Sequence, residues 1–343
     1  MSFNPNQVIL VTGASGFVAT TVIGIFLERG YKVRGTVRSP ETAEKVAQLH
    51  ARFEPQLSFA VVKDIGADGA FDEAVKDVDG VIHIASPFQI AVEDCERDLL
   101  LPAIRGTTSI LQAVKANAPN VRRVVITSSF AAIVDMNHGA RPGYVYTEAD
   151  WNPITFEKAS AADPATAYCA SKALAEKAAF EFVSNQQPQF SITTICPPMI
   201  YGPLGHAVND MSKLNTSAAD FYRLMNGTSQ EVPSTGTFAF VDVRDVAEAH
   251  LRAYESDAAA GQRYLTAGGN YTYQEMTDIL RAKFPNLVDR IPKAKEGSID
   301  PDAYKVSSKK AETELGIHFR GLSQVTIDTA ESLLQLERKI GEI

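Results

Sequence analysis

Short apolar runs alternate with amphipathic stretches through the first 196 residues of the chain. The runs predict β-strands at Val8–Val11, Lys32–Val37, Phe59–Val62, Gly80–Ile84, Arg123–Thr127 and Ser191–Ile195. The stretches between them predict helices at Gly16–Arg29, Glu41–Phe53, about Asp94–Asn117 and about Ala165–Ser184. Continuous apolar strands indicate burial on both faces. The alternation therefore predicts an α/β fold of the Rossmann type, with a doubly wound parallel sheet.

The pattern changes after Cys196. Residues 197–236 are rich in Pro, Gly, Asn and Ser, and they contain one helical stretch near Ala218–Met225. Beyond them we predict strands at Phe238–Val241 and Gln262–Thr266, with one helix between the two strands. Two further helices are predicted after them, at Tyr273–Phe284 and at Ser323–Lys339. We expect a nucleotide-binding domain from residues 1–196 and about 237–266, and a smaller C-terminal substrate lobe from about 197–236 and 267–343.

Composition narrows the classes of partner. The 343 residues include 33 basic and 41 acidic side chains, and the net charge of −8 disfavours nucleic acid or an anionic membrane as a main partner. The sequence shows no leader pattern and no apolar stretch of the roughly 18 residues that a membrane span needs. Its cysteines, Cys95, Cys169 and Cys196, lie far apart, which is typical of a reducing compartment and gives no metal-ligand spacing. We expect a cytoplasmic monomer or homodimer without a metal.

Small residues recur directly after the first predicted strand. Gly13, Gly16 and Ala19 are spaced by three, at the start of the first predicted helix. Glycines there would let a pyrophosphate approach the backbone, and a helix N-terminus adds free N–H groups and a partial positive charge. The pattern favours a dinucleotide-binding turn, but a merely small loop would look the same.

The end of the second strand indicates which dinucleotide. Sites specific for NAD usually carry an acidic residue there, to bind the ribose hydroxyls. Here the strand ends in Arg38, and no carboxylate follows until Glu41. A guanidinium can pair with a 2′-phosphate through its planar fork, and Lys45 could assist it. The sequence therefore predicts NADPH/NADP+ as the cofactor.

A tyrosine and a lysine lie four residues apart in a strongly helical segment. Tyr168 and Lys172 therefore share one helix face. A free tyrosine has a pKa of about 10, and a neighbouring ammonium lowers that value. Ser128 and Ser129 follow a predicted strand, at the edge where α/β sheets bind ligands, and either hydroxyl could hold a substrate carbonyl. Together these residue types indicate acid–base catalysis beside a nucleotide.

The chain resembles the extended short-chain dehydrogenase/reductase family over almost its whole length. The motifs that carry the resemblance are VTGASGFVA (11–19), IASPF (84–88), TSSFAAI (127–133), AYCASK (167–172), PPMIYGP (197–203) and FVDVRDVAEAH (240–250). Within it the chain looks most like the fungal NADPH-dependent carbonyl and methylglyoxal (3-methylbutanal) reductases, with the dihydroflavonol reductase-like group as more distant relatives. The resemblance implies that Ser129 binds the carbonyl, that Tyr168 donates the proton, and that Lys172 lowers the tyrosine pKa and binds the nicotinamide ribose.

The resemblance also implies a set of cofactor contacts. They are Gly13, Ser15, Gly16, Phe17, Val18, Arg38, Lys45, Asp64, Ile65, Ala85, Ser86, Pro87, Thr127, Tyr168, Lys172, Pro197 and Met199. Two positions depart from the family pattern. Pro102 falls near the place of an asparagine that acts as a fourth catalytic residue in many members, so that role is missing or carried by water. Thr42 stands where the yeast group has a second basic residue.

Aromatic and small residues flank the predicted chemistry. Phe88, Phe130, Ala165 and Phe238 are the candidates for a substrate pocket, and the alternative for Phe88 and Phe130 is that they are ordinary core aromatics. Such a pocket would favour apolar carbonyl compounds: aryl ketones, α-diketones, β-keto esters and aldehydes. A flavonoid is disfavoured, because Val134 replaces the asparagine that grips its ring hydroxyls in plant dihydroflavonol reductases.

Two other functions fit the same fold. A nucleotide-sugar epimerase or dehydratase would need arginines for a diphosphate, yet the segment Thr237–Phe240 is free of them. A non-catalytic dinucleotide sensor could dispense with the catalytic tyrosine, yet Tyr168 and Lys172 are both present. The sequence therefore favours a small-molecule carbonyl reductase over both alternatives.

Overall fold

The computed structural model describes residues 4, 6–86, 92–293 and 302–341. The strands are β1 (Val8–Val11), β2 (Lys32–Val37), β3 (Leu57–Val61), β4 (Gly80–His83), β5 (Arg123–Thr127), β6 (Val145–Tyr146), β7 (Ser191–Cys196), β8 (Met199–Tyr201), β9 (Ala239–Asp242), β10 (Arg263–Leu265), β11 (Gly269–Asn270) and β12 (Lys305–Val306). The helices are α1 (Phe17–Arg29), α2 (Pro40–Leu49), α3 (Leu101–Asn117), α4 (Phe156–Ser160), α5 (Pro164–Gln186), α6 (Thr216–Tyr222), α7 (Val243–Glu255), α8 (Tyr273–Lys283), α9 (Lys309–Leu315) and α10 (Leu322–Gly341).

The main sheet of the described residues has seven parallel strands in the order β10-β7-β5-β4-β1-β2-β3. The chain runs outward from β1 in one direction and from β4 in the other. The carboxyl ends of β1 and β4 therefore adjoin at the point where the strand order reverses, and open α/β sheets bind ligands in that crevice.

Helices cover both faces of this sheet. Helices α1 and α7 pack together on one face, around a core that includes Val22, Phe26 and Tyr254. Helices α3 and α5 pack on the other face, around Ile110 and Leu111. The predicted doubly wound, Rossmann-type parallel sheet is confirmed.

A second group of elements surrounds its own apolar cluster. Strands β8, β9 and β11 form a small sheet, and β6 pairs with β12. Side chains of α6, α8 and α10 meet in a cluster that includes Phe221, Met276 and Val325. Strand β10 instead returns to the main sheet beside β7. The predicted division into a nucleotide-binding domain and a substrate lobe stays a prediction.

Two helices differ from the prediction because of prolines. The helix predicted at Glu41–Phe53 ends at Leu49, and a 3₁₀ turn containing Pro55 follows at Ala51–Gln56. The helix predicted from about Asp94 begins as a wide π-helical turn at Glu96–Leu100, and α3 starts at Leu101 with Pro102 in its first turn. Proline lacks the N–H that would continue the preceding helix, which explains both boundaries.

Gly80 lies where no side chain fits. A Cβ on Gly80 would come within 2.8 Å of the hydroxyl oxygen of the fully buried Tyr254. We predict that Gly80→Ala lowers the free energy of unfolding by about 1–3 kcal/mol through overpacking. Gly24→Ala is the matched control, because its Cβ would meet only His50 at an ordinary 3.6 Å. Urea denaturation followed by circular dichroism measures both, and equal midpoints for the two variants would contradict the packing argument.

Candidate active site

The turn after β1 is shaped for close approach of a ligand to the backbone. Gly13 has φ +70°, and a Cβ on it would lie 3.1 Å from the Cα of Ala85, which follows β4. Gly16 is the N-cap of α1, and no side chain among the described residues caps that helix. The first N–H groups of α1 are therefore available to an anion. These features fit the phosphates of a dinucleotide.

The two basic residues predicted to bind the 2′-phosphate are both exposed, near the carboxyl end of β2. Arg38 directly follows β2 and is exposed, and within the described residues its guanidinium has no ion pair or hydrogen bond. Lys45 is exposed on α2, whose N-cap Ser39 stands between the two in sequence. The structure therefore leaves the Arg38 fork open to an anion.

The other predicted cofactor residues line the carboxyl edge of the sheet. Ser15 is exposed, Phe17 is 8% exposed, and Val18 and Ile65 are half-buried. Asp64 follows β3 and accepts a hydrogen bond from the backbone N–H of Gly66 at 2.9 Å. Pro197 is buried and Met199 is half-buried at the start of β8. Pro87 and Phe88 lie outside the described residues.

The Thr127 hydroxyl is committed elsewhere. The Nδ1–H of His250 donates to the Val246 carbonyl at 2.7 Å, so Nε2 of this neutral ring accepts from Thr127 Oγ1 at 2.7 Å. Burial lowers the pKa of His250 to about 4, which keeps the ring neutral. A contact of Thr127 with a cofactor would have to use its other atoms.

Helix α5 carries the two residues predicted to do acid–base chemistry. Asp163 caps its N-terminus by accepting from the backbone N–H groups of Ala165 and Thr166. The Nζ of Lys172 lies 5.5 Å from the Tyr168 ring centroid, and it donates to Ser86 Oγ at 2.6 Å. Ser86 follows β4, so this bond ties the catalytic helix to the crevice where the strand order reverses.

Burial in the cleft decides the charges of this pair. It raises the pKa of Tyr168 to about 12 and lowers the pKa of Lys172 to about 8. The sequence predicted instead that Lys172 would lower the tyrosine pKa. In this structure desolvation is the largest influence on the tyrosine pKa and the ammonium donates to Ser86, so the predicted lowering by Lys172 stays a prediction. Tyr168 therefore keeps its proton at neutral pH, as a proton donor must.

The two candidate serines have different environments. Ser128 is buried, and its hydroxyl donates to Glu176 Oε2 at 2.7 Å. Ser129 is half-buried, and its Oγ accepts from the Ala131 N–H at 3.1 Å in a short turn that packs against α5. Ser128 Oγ is thus engaged by Glu176 although its residue lines the cavity beside Lys172, whereas Ser129 Oγ makes only this local bond, and the assignment of the carbonyl-binding role to Ser129 stays a prediction.

Sequence reasoning missed a buried ion pair behind this site. Arg263 on β10 donates to Glu176 through Nε at 2.8 Å and Nη2 at 3.2 Å, and both side chains are at least nine-tenths buried. Thr194 Oγ1 of β7 also donates to this carboxylate, and the guanidinium stacks 3.4 Å above the Trp151 ring. The spacing of Lys172 and Glu176, four apart on α5, places Glu176 on the same face as the lysine, but nothing in the local sequence indicates Arg263 as its partner.

The predicted substrate residues are mostly buried. Phe130 is 2% exposed and Phe238 is 7% exposed, and both rings pack against Tyr304 at centroid distances of 5.6 and 5.7 Å. Ala165 is exposed in the first turn of α5. A substrate could contact only the edges of the two rings, and the assignment of all three residues to a pocket stays a prediction.

The sequence profile of the NAD dependent epimerase/dehydratase family matches residues 9–267. The chain belongs to this family. Membership confirms the resemblance to extended short-chain dehydrogenases/reductases and includes the crevice, the catalytic helix and strand β10. None of the helices in the described residues has an apolar stretch long enough to cross a bilayer.

Within the family, the chain is similar to fungal reductases over nearly its full length. A ketoreductase of Aspergillus niger is 38% identical over 335 residues, which cover 95% of this chain and 97% of the relative. An NADPH-dependent methylglyoxal reductase of Saccharomyces cerevisiae is 37% identical, with 97% of this chain and 99% of the relative covered. The crystal structure of the yeast methylglyoxal/isovaleraldehyde reductase complexed with NADPH superposes with a TM-score of 0.89, at 37% identity, over 97% of this chain and 100% of that one.

Removing the Glu176 carboxylate would leave Arg263 charged and unpaired in the interior. We predict that Glu176→Ala lowers the free energy of unfolding by about 3–5 kcal/mol, as for other broken buried pairs. The control is Glu73→Ala, which breaks an ion pair with Lys76 whose side chains are 85% and 51% exposed and should scarcely move the unfolding midpoint. Urea denaturation measures both. If the two variants were equally stable, the buried pair would not hold the helix to the sheet.

Proposed function

We propose that this protein is an NADPH-dependent carbonyl reductase that reduces ketones and aldehydes to alcohols. The observation that carries the proposal is the position of Lys172, whose Nζ lies 5.5 Å from the Tyr168 ring centroid and 2.6 Å from Ser86 Oγ, near a glycine turn that fits a dinucleotide. Similarity over nearly the whole chain to enzymes named as NADPH-dependent methylglyoxal reductase and ketoreductase supports it. We also propose a cytoplasmic location, because the free cysteines Cys95, Cys169 and Cys196 suit a reducing compartment. A monomer or homodimer remains the expected oligomeric state.

The residues of the chain divide the work of the reaction. Bound NADPH would supply the hydride that adds to the carbonyl carbon. Ser129 would donate a hydrogen bond to the carbonyl oxygen and orient it. Tyr168 would give its proton to the same oxygen, which completes the alcohol, and Lys172 would stabilise the resulting phenolate. Tyr168 holds its proton at neutral pH, since burial raises the pKa of its phenol to about 12, and it can therefore act as the acid once a neighbouring cation stabilises the phenolate.

An apolar carbonyl compound suits the surroundings of this site better than a sugar nucleotide does. Phe238 directly precedes β9, and Ala239 and Phe240 begin it; all three are buried and apolar, whereas a diphosphate would need cationic side chains. Val134, which stands in place of the asparagine expected of a flavonoid reductase, is also buried, with 7% of its surface exposed. We therefore propose aryl ketones, α-diketones, β-keto esters and aldehydes as substrates. Burial of their apolar groups would drive binding at roughly 25 cal/mol per Å².

The role of Tyr168 is tested by removing its proton and keeping its ring. We predict that Tyr168→Phe lowers turnover by ~10² to 10⁴-fold, the usual contribution of a general acid, while the affinity for NADPH changes little. NADPH oxidation with an aryl ketone measures turnover, and quenching of intrinsic fluorescence measures affinity. The control is Phe156→Tyr on α4, which should change neither turnover nor the affinity for NADPH. More than half of wild-type turnover in Tyr168→Phe would exclude the tyrosine as proton donor.

Cofactor preference is tested at Arg38. A bidentate, charge-assisted contact with the 2′-phosphate predicts that Arg38→Ala weakens NADPH binding about 10- to 100-fold and leaves NADH binding nearly unchanged. Lys45→Ala, measured in parallel, reports whether that side chain assists. The control is Arg52→Ala, which removes a cation in the 3₁₀ turn after α2. Equal weakening of both cofactors by Arg38→Ala would place this side chain on the shared part of the dinucleotide.

A further inference from the structure

A histidine at the end of β4 is buried beneath the catalytic lysine. His83 is 2% exposed, and burial, with the charge of Lys172 adding to it, lowers its pKa to about 3. Its ring is therefore neutral. The ring edge packs against Phe71 at a centroid distance of 5.9 Å.

Thr12 fixes which nitrogen of His83 carries the proton. The Thr12 hydroxyl oxygen accepts hydrogen bonds from the backbone N–H groups of Ile84 and Ala85, each at 3.0 Å. Both of its lone pairs are then used, so its proton is directed at His83 Nδ1, which lies at 3.0 Å. His83 must accept there, and its proton lies on Nε2.

This Nε2–H donor has no hydrogen-bond acceptor among the described residues. A buried donor without an acceptor costs free energy, so native proteins nearly always satisfy such groups. His83 faces a cavity of about 20 Å³ between α3, α5 and the sheet. Its polar lining residues are His83, Ser86, Thr107, Thr127, Ser128, Lys172 and Glu176. One water needs about 10–15 Å³ and two to four polar partners, and this chamber offers both.

We propose that this chamber is a binding site for one water, and that His83 is the positioning residue that holds this water against the Lys172 ammonium. The inference rests on the proposed function. The water would accept one hydrogen bond from His83 Nε2–H and one from Lys172 Nζ–H. Its own protons would go to hydroxyl oxygens that line the chamber, such as those of Thr107 and Thr127.

The proposed water would act as the polar group next to Lys172, because α3 places neither an amide nor a charged side chain in the chamber. To the chamber α3 contributes only Ala103 and Thr107, and β5 and its following residue contribute Thr127 and Ser128. The titratable groups that face Lys172 are therefore Tyr168 and Glu176 on its own helix and His83 from β4. A water locked between His83 and Lys172 stabilises the charged form of the lysine, which burial otherwise disfavours.

Two substitutions separate the donor from the bulk of the ring. His83→Asn keeps an oxygen that can accept from Thr12 but lacks a donor at the place of Nε2, whereas His83→Gln places an amide N–H there. Without the Nε2–H donor the water is no longer held against the Lys172 ammonium. Loss of this charge-assisted hydrogen bond should lower the pKa of Lys172 by about one unit in His83→Asn. The glutamine variant should return toward the wild-type value.

Trace labelling with acetic anhydride across pH, quantified at Lys172 by mass spectrometry, measures that titration without any enzymatic reaction. The pH profile of ketone reduction should show the same shift on its alkaline side, with NADPH affinity unchanged. A high-resolution crystal structure of the wild-type protein should show a water bonded to His83 Nε2. That measurement remains valid if a variant fails to fold.

A dry chamber, or an identical Lys172 titration in wild type and His83→Asn, would overturn the proposal. If the wild-type protein reduces no carbonyl compound, the proposed function fails. The labelling and the crystal structure then still decide whether the water is held, so the two failures can be told apart.

Discussion

The carboxylate of Glu176 lies deep between α5 and the sheet, where groups from three neighbouring strands donate to it. Ser128 follows β5, Thr194 belongs to β7 and Arg263 to β10. Since Tyr168 and Lys172 precede Glu176 on the same helix, this network fixes both against the carboxyl edge of the sheet. Breaking this network would leave a buried charge uncompensated, so the ion pair favours one position of α5 against the sheet. Placement of the acid–base pair relative to Ser129 depends on this constraint.

Burial then sets the protonation states along that edge. Desolvation raises the pKa of Tyr168 to about 12 and lowers those of His83 and His250 to about 3 and about 4. These three groups are neutral at physiological pH, which suits a site that must donate one proton and bind a polyanionic cofactor. Lys172, with a pKa lowered to about 8, is the group whose charge changes near neutral pH. Desolvation in the cleft thus sets the protonation states of these groups as much as neighbouring charges do.

The sequence predicted the elements that local pattern determines. Apolar runs located the strands of the main sheet, and the glycine spacing located the turn that contacts Ala85. Prolines moved two helix boundaries that periodicity alone had placed wrongly. The partnership of Glu176 and Arg263 could not be predicted, because 87 residues separate two side chains that meet only after β10 joins β7. For the same reason the sequence left Ser128 and Ser129 as alternatives, and only tertiary burial distinguishes them.

The central claim is that hydride passes from NADPH to a carbonyl carbon in the crevice between β1 and β4. The direct measurement uses NADPH deuterated at C4, with each of the two epimers tested separately against an aryl ketone, and mass spectrometry of the alcohol. The account predicts that one epimer transfers its deuterium to the carbinol carbon, with one NADP+ formed for each alcohol. Consumption of NADPH without an alcohol, or an alcohol that carries no deuterium from either epimer, would contradict it.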